Sequence, residues 1–146
     1  MMRFLLGAAI LLVLAGCGNG AGDDRPGPME SHLLPYFRAE FPGQRIVLMI
    51  EGDVNDDGVD DLVVVFEADP NYNQKVTVFS GAYGFGLTQP MPAPFQDVAM
   101  RWQDIDNQPP TELVLSGRRG MDFGLGVLRF HYDHWMDLFG GLEDCC

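Results

Sequence analysis

Asp53 to Val64 (Asp-Val-Asn-Asp-Asp-Gly-Val-Asp-Asp-Leu-Val-Val) aligns without a gap on Asp104 to Leu115 (Asp-Ile-Asp-Asn-Gln-Pro-Pro-Thr-Glu-Leu-Val-Leu), a constant offset of 51 residues. The same offset places Val47 on Val98, Met49 on Met100, Val76 on Val127 and Phe79 on Phe130. Agreement that runs through a loop, both flanking segments and a further apolar run is the mark of a chain built from two copies of one unit. A unit this short buries its apolar face only against a neighbour, so the copies are expected to stack and share a core.

The runs themselves are of strand length. Arg45 to Glu51, Leu62 to Glu67 and Lys75 to Ser80 make the first copy, and Asp97 to Gln103, Glu112 to Ser116 and Gly126 to Tyr132 the second. Asp69-Pro70-Asn71 and Arg118-Arg119-Gly120 read as hairpin turns. Ahead of the strands, Leu33, Leu34, Phe37 and Phe41 share one face of a short helix, with Ser31 as its cap, Pro35 in its first turn and Pro42-Gly43 as its stop. The expected fold is mainly β: two tandem three-stranded antiparallel repeats, about 45–95 and 96–139, packed as a small sandwich with one short N-terminal helix. Two repeats cannot close a propeller, which needs at least about four blades.

The loop inside the first repeat carries chemistry as well as a turn. Asp53, Asn55, Asp57 and Asp61 stand at positions one, three, five and nine, the Val59 carbonyl is available at seven, and Gly58 permits the sharp bend. Hard oxygen ligands crowded on one loop suit calcium, here in a structural role. An EF-hand would need helical flanks and a bidentate Glu at position twelve, where Val64 stands. The loop instead resembles the calcium loops of FG-GAP and VCBS repeats, in which the Asp-Leu pair after the glycine begins the next strand, as Asp61-Leu62 does here. In the second loop Gln108 replaces a carboxylate and Pro109 the bending glycine, so calcium is not expected there.

The two ends are of a different kind. Met1-Met2-Arg3, an apolar run from Phe4 to Val13, and Leu14-Ala15-Gly16-Cys17 read as a signal peptide over 1–16. That segment resembles the bacterial lipobox, which implies cleavage before Cys17, lipidation of its sulfur, and attachment on the extracytoplasmic face of the cell envelope. Gly18 after the cysteine points to the outer membrane where the cell has two. Residues 17–29 hold little that can pack and read as a tether; the domain then runs from 30 to 139 and a mobile tail from 140 to 146, hinged at Gly140-Gly141.

The tail holds Glu143-Asp144-Cys145-Cys146. Neighbouring Cα atoms lie about 3.8 Å apart, while a disulfide wants roughly 4.4 to 6.8 Å, so a bond between these two would be strained, and it would staple no loop. Adjacent thiols are better suited to reversible switching or to holding a soft metal between two sulfurs. Nearby carboxylates disfavour a free thiolate, which favours metal capture, since a soft cation displaces the proton itself. His131 and His134 are possible auxiliary ligands, whereas Met49, Met100, Trp102, Trp135 and Phe139 read as packing residues. The net charge of −12 argues against nucleic acid as a partner. The chain contains neither a Gly-x-Ser-x-Gly elbow nor a phosphate-cradling glycine loop, and no catalytic constellation is read from it.

With its lipobox at Leu14 to Cys17, a small acidic domain and Cys145-Cys146, the chain resembles the Cys-Cys-COOH (seleno)protein family of the selenocysteine-assisted organometal system. The resemblance implies a non-enzymatic lipoprotein that captures or relays mercury or a similar organometal, with an envelope transporter or thiol protein as partner. Two other classes stay open at this point: an envelope thiol-disulfide carrier using the same cysteines, and a calcium-stabilised scaffold or adhesion module in which they are incidental.

Overall fold

The computed structural model describes residues 30–81 and 84–142. The expected signal peptide, Cys17, the expected tether through Met29 and the Glu143–Cys146 segment lie outside the described residues. The chain begins with α1 (Leu34–Glu40) and continues through nine strands: β1 (Arg45–Gly52), β2 (Asp61–Asp69), β3 (Tyr72–Gly81), β4 (Gly84–Leu87), β5 (Met91–Ala93), β6 (Gln96–Gln103), β7 (Glu112–Arg119), β8 (Asp122–His131) and β9 (His134–Asp137). They form two antiparallel sheets, β1-β2-β3-β4 with β5 also on β3, and β6-β7-β8-β9. The first expected three-stranded unit therefore carries two further strands, β4 and β5, and the second carries one, β9, and all six expected strands are present. Among the described residues no helix is long and apolar enough to cross a membrane.

The two sheets stack face to back. Leu62 and Val64 of β2 face α1, in a cluster with Leu33, Phe37, Phe66, Val76 and Val78. Their repeat equivalents, Leu113 and Leu115, face the other sheet, in a cluster with Val63, Val65, Leu128, Phe130 and Trp135. The helix thus covers in the first repeat the face that the first repeat covers in the second. Because β2 is covered on both sides, its residues from Asp61 to Phe66 are all buried, and its sequence is a continuous apolar run rather than an alternation.

A helix of seven residues is well short of the ~12–15 that marginal helicity in water requires, so α1 depends on docking. Leu33 and Phe37 are fully buried, and burying such a side chain contributes about 1.5–3 kcal/mol. Phe37 and Phe41 stack at 5.3 Å and both reach Phe66. The start of the helix differs from expectation: Leu33 stands at the N-cap, and Ser31 instead accepts the Leu33 N–H through its hydroxyl at 3.1 Å.

The repeat is not gapless throughout. Met49 pairs with Val64 and Met100 with Leu115, so the offset of 51 holds over the first two strands. Leu62 pairs with Val78 but Leu113 with Leu128, which makes the offset 50 in the third strand. An irregularity between Glu67 and Asp69 absorbs the extra residue. Val76 and Phe79 are therefore equivalent to Gly126 and Arg129, not to Val127 and Phe130; a one-residue slip would have turned every side chain of β8 to the other face. The second hairpin turn likewise falls at Gly120-Met121, with Arg118 and Arg119 still in β7.

Two contacts lock the sheets together. The Trp102 indole N–H donates to the Glu51 carbonyl at 2.6 Å, and the Trp135 indole N–H donates to the Thr77 hydroxyl at 2.9 Å. The first needs Gly52, where a β-carbon would lie 2.5 Å from Cε2 of Trp102. Gly52→Ala is expected to destabilise the domain by roughly 1–3 kcal/mol through overpacking, read as a lower denaturant midpoint with an unchanged slope; an unshifted midpoint would mean that Trp102 does not hold the seam.

Candidate functional site

The first acidic loop is built on its own backbone. Asp53 accepts the Asp57 N–H at 3.0 Å and the Gly58 N–H at 2.8 Å through its two carboxylate oxygens. Asn55 Oδ1 accepts the Asp57 N–H at 3.1 Å, and Asp57 Oδ1 accepts the Val59 N–H at 2.9 Å. Asp56 and Gly58 take positive φ, as the tight path demands. Asp61 closes the loop from beneath: fully buried at the start of β2, it accepts the Val54 N–H at 3.2 Å and the Ser80 N–H at 2.9 Å. Burial pushes its carboxyl up to about 6 against these two bonds, with Asp57 and Asp53 adding repulsion.

The second loop repeats the frame. Glu112, equivalent to Asp61, accepts the Ile105 N–H at 2.9 Å, and Ile105 is equivalent to Val54. Asn107 has the same left-handed backbone as its equivalent Asp56. The difference lies on β8, where Arg129 stands across from Glu112 in register as Phe79 stands across from Asp61. Its guanidinium bonds Glu112 and also reaches Asp106 at 2.7 Å. Asp104, Asp106 and Glu112 come within 4.8 Å of one another, and Arg129 supplies the positive charge among them. Burial alone would raise Glu112, but the Ile105 N–H and Arg129 outweigh it and hold the carboxyl below its usual range.

In the first loop no basic side chain pairs with any carboxylate among the described residues. Among the described residues, only Asp104, Asp106 and Glu112 bring three Asp, Glu, His or Cys ligand atoms within 4.8 Å of one another; the carboxylates of Asp53, Asp57 and Asp61 are not gathered that closely, so the structure draws together the acidic groups of the loop where calcium was not expected rather than those of the expected calcium loop with Asn55 and the Val59 carbonyl. Each carboxylate oxygen of the first loop that accepts one N–H keeps a further lone pair, and among the described residues no arginine pairs with it. What calcium would supply there is neutralisation of crowded carboxylates.

The expected soft-metal residues are distributed unevenly. His131 and His134 face each other at the β8–β9 turn, both exposed, with ring centroids 6.3 Å apart and His134 bonded to Asp133. Met49 packs in the helix cluster and Met100 between the sheets, as expected of core residues. Trp135 is buried, whereas Phe139, expected to pack, is 72 % exposed. Gly140 and Gly141 do not form a free hinge. Asp137 accepts the N–H groups of Phe139, Gly140 and Leu142 at 3.1–3.2 Å, the Gly141 carbonyl accepts the Leu125 N–H, and Leu142 is buried against Gly126. The packed chain therefore extends at least to Leu142, past the expected limit at 139.

Beside Leu142 opens a cavity of about 210 Å³ lined by Lys75, Met91, Pro92, Leu128, Trp135 and Asp137 as well as Leu142 itself. Lys75 is only 2 % exposed, and burial pulls its ammonium down to about 8 while Asp137 opposes the shift. Sequence reading passed over Lys75, Asp137 and Arg129. One signal was available, since Lys75 is the only lysine and falls in an apolar strand. Comparison with protein-family models, with curated proteins and with solved structures returns no match.

Replacing Arg129 leaves Glu112 buried without its counter-charge. Arg129→Met is expected to cost roughly 2–3 kcal/mol at pH 7, and less as the pH falls through the carboxylate range and Glu112 takes up a proton. Chemical denaturation of both proteins at pH 7 and pH 4 checks this, and an equal loss at the two values would remove Glu112 as the cause.

Proposed function

We propose that this is a lipid-anchored extracytoplasmic binding and relay protein whose vicinal thiols, Cys145 and Cys146, capture a soft metal or organometal of the mercury type and pass it to an envelope transporter or thiol protein. The observation that carries the reading is the adjacent pair itself. Apart from Cys17 these are the only cysteines. Mercuric ion would displace one proton from each thiol to form two metal–sulfur bonds. Relay is then exchange of those bonds, one at a time, for the sulfurs of acceptor thiols, each of which gives up its proton to the donor sulfur that it replaces on the metal. In this reading the β-domain is a platform, and calcium in the first loop stiffens it.

The test is a competition titration of the reduced full chain carrying Cys17→Ser, in detergent, with mercuric and methylmercury ions against a reference dithiol. One-to-one mercuric binding stronger than the reference is expected. Cys145→Ser or Cys146→Ser should each weaken it by more than about a hundredfold, because loss of a direct ligand exceeds the 10–100-fold typical of outer-shell changes. Affinity unchanged by either substitution sinks the assignment and leaves a redox carrier or a scaffold. For the platform, calcium at about a hundred times its dissociation constant should add about 2.7 kcal/mol of stability. Asp57→Asn, which keeps the acceptor for the Val59 N–H, should abolish most of that gain; a wild-type melting temperature indifferent to calcium would remove the ion from the reading.

A further inference from the structure

The seam between the two sheets holds a side chain that apolar packing does not explain. Lys75 is the only lysine of the chain, and it stands on the face of β3 that meets the second sheet, across from the buried Val65 in register. With the offset of 50 that relates the third strands, its equivalent in the second repeat is Leu125. An ammonium buried to 2 % exposure is costly unless acceptors meet it. It has three hydrogens to donate, and among the described residues one acceptor is present, the Pro92 carbonyl at a long 3.4 Å. Asp137 does not complete the set. No ion pair joins it to Lys75 among the described residues, and its oxygens accept the N–H groups of Phe139, Gly140 and Leu142. Burial accordingly pulls the ammonium down to about 8 although Asp137 opposes the shift.

The space beside this amine has a definite size and chemistry. Apart from Lys75 and Asp137, the cavity of about 210 Å³ is lined by Met91 and Pro92 of β5, Leu128 of β8, Trp135 of β9, and Leu142. An apolar cavity of about 150 Å³ is large enough for benzene, so this one takes a single ring, or a branched chain of similar bulk, together with a small polar head. The head has to accept hydrogen bonds and suits a negative charge, because the wall offers an under-bonded ammonium while the Asp137 oxygens are already engaged. A cationic head would instead meet Lys75 with like charge. Both sheets contribute walls, so a ligand would be gripped by strands that pairing already holds in place.

We propose that this cavity is a binding site for a small carboxylate with an apolar body the size of one ring, the carboxylate accepting from Lys75 and the body packed against Met91, Leu128 and Trp135. The site uses neither the cysteine pair nor the first acidic loop, and it stands whether or not either of those takes an ion.

The probe is benzoate, with benzylamine and benzyl alcohol as ligands of similar bulk and different head. Because the chain has one lysine, isotopic labelling of lysine gives a single side-chain amine signal by nuclear magnetic resonance. In the full chain carrying Cys17→Ser, in detergent, benzoate should shift that signal saturably and with one-to-one stoichiometry. It should bind at least about tenfold more tightly than benzylamine or benzyl alcohol, since hydrogen bonds between two charged groups are the strong ones. Lys75→Met removes the amine and keeps an unbranched apolar stem. Read at the indole N–H of Trp135, it should weaken benzoate at least about tenfold and leave benzyl alcohol little changed. A shift that does not saturate, equal affinity for benzoate and benzylamine, or benzoate binding that survives Lys75→Met overturns the proposal. The comparison of heads needs no substitution, so it decides the matter even where Lys75→Met fails to fold.

Discussion

The structure depends on β2 being apolar on both faces. Leu62, Val64 and Phe66 draw α1 onto one side, and Val63 and Val65 draw the second sheet onto the other. A strand with one polar face would have left two separate pieces, a helix too short to stand alone and a sheet with nothing to cover it. With β2 in the middle the molecule becomes three layers, and each repeat presents the same face backwards to the layer before it.

That head-to-tail stacking places the two acidic loops in the same frame with different charge. The buried carboxylates of Asp61 and Glu112 both bracket their loop by accepting an N–H from its second residue, Val54 or Ile105. Only the second has an arginine opposite it. One repeat thus carries its counter-charge in the chain, while the other concentrates negative charge with no cationic partner among the described residues. This divergence between two copies of one unit is what a structural ion in the first loop would complement.

The end of the domain has its own logic. Asp137 spends its two oxygens on three N–H groups, turning the chain so that Leu142 fills the space left by Gly126. The chain is therefore held as far as Leu142, beside the cavity that Lys75 and Met91 line.

The sequence alone determined the two-fold repeat, all six principal strands, the helix and the residues of the acidic loop, because alternation, β-branched runs and turn chemistry are local signals that a periodic fold repeats. It also determined that two thiols stand together, since adjacency needs no fold. Only the tertiary structure decided the shift from 51 to 50 at the Glu67–Asp69 irregularity, for a gapless match of apolar residues cannot sense which face a strand turns. It alone set Arg129 against Asp106 and Glu112, and Lys75 and Met91 beside Leu142, because those contacts join residues far apart in the chain through strand pairing and sheet stacking. The short strands β4, β5 and β9 were equally hidden: edge pieces of three or four residues draw their stability from the neighbour they pair with rather than from any pattern of their own.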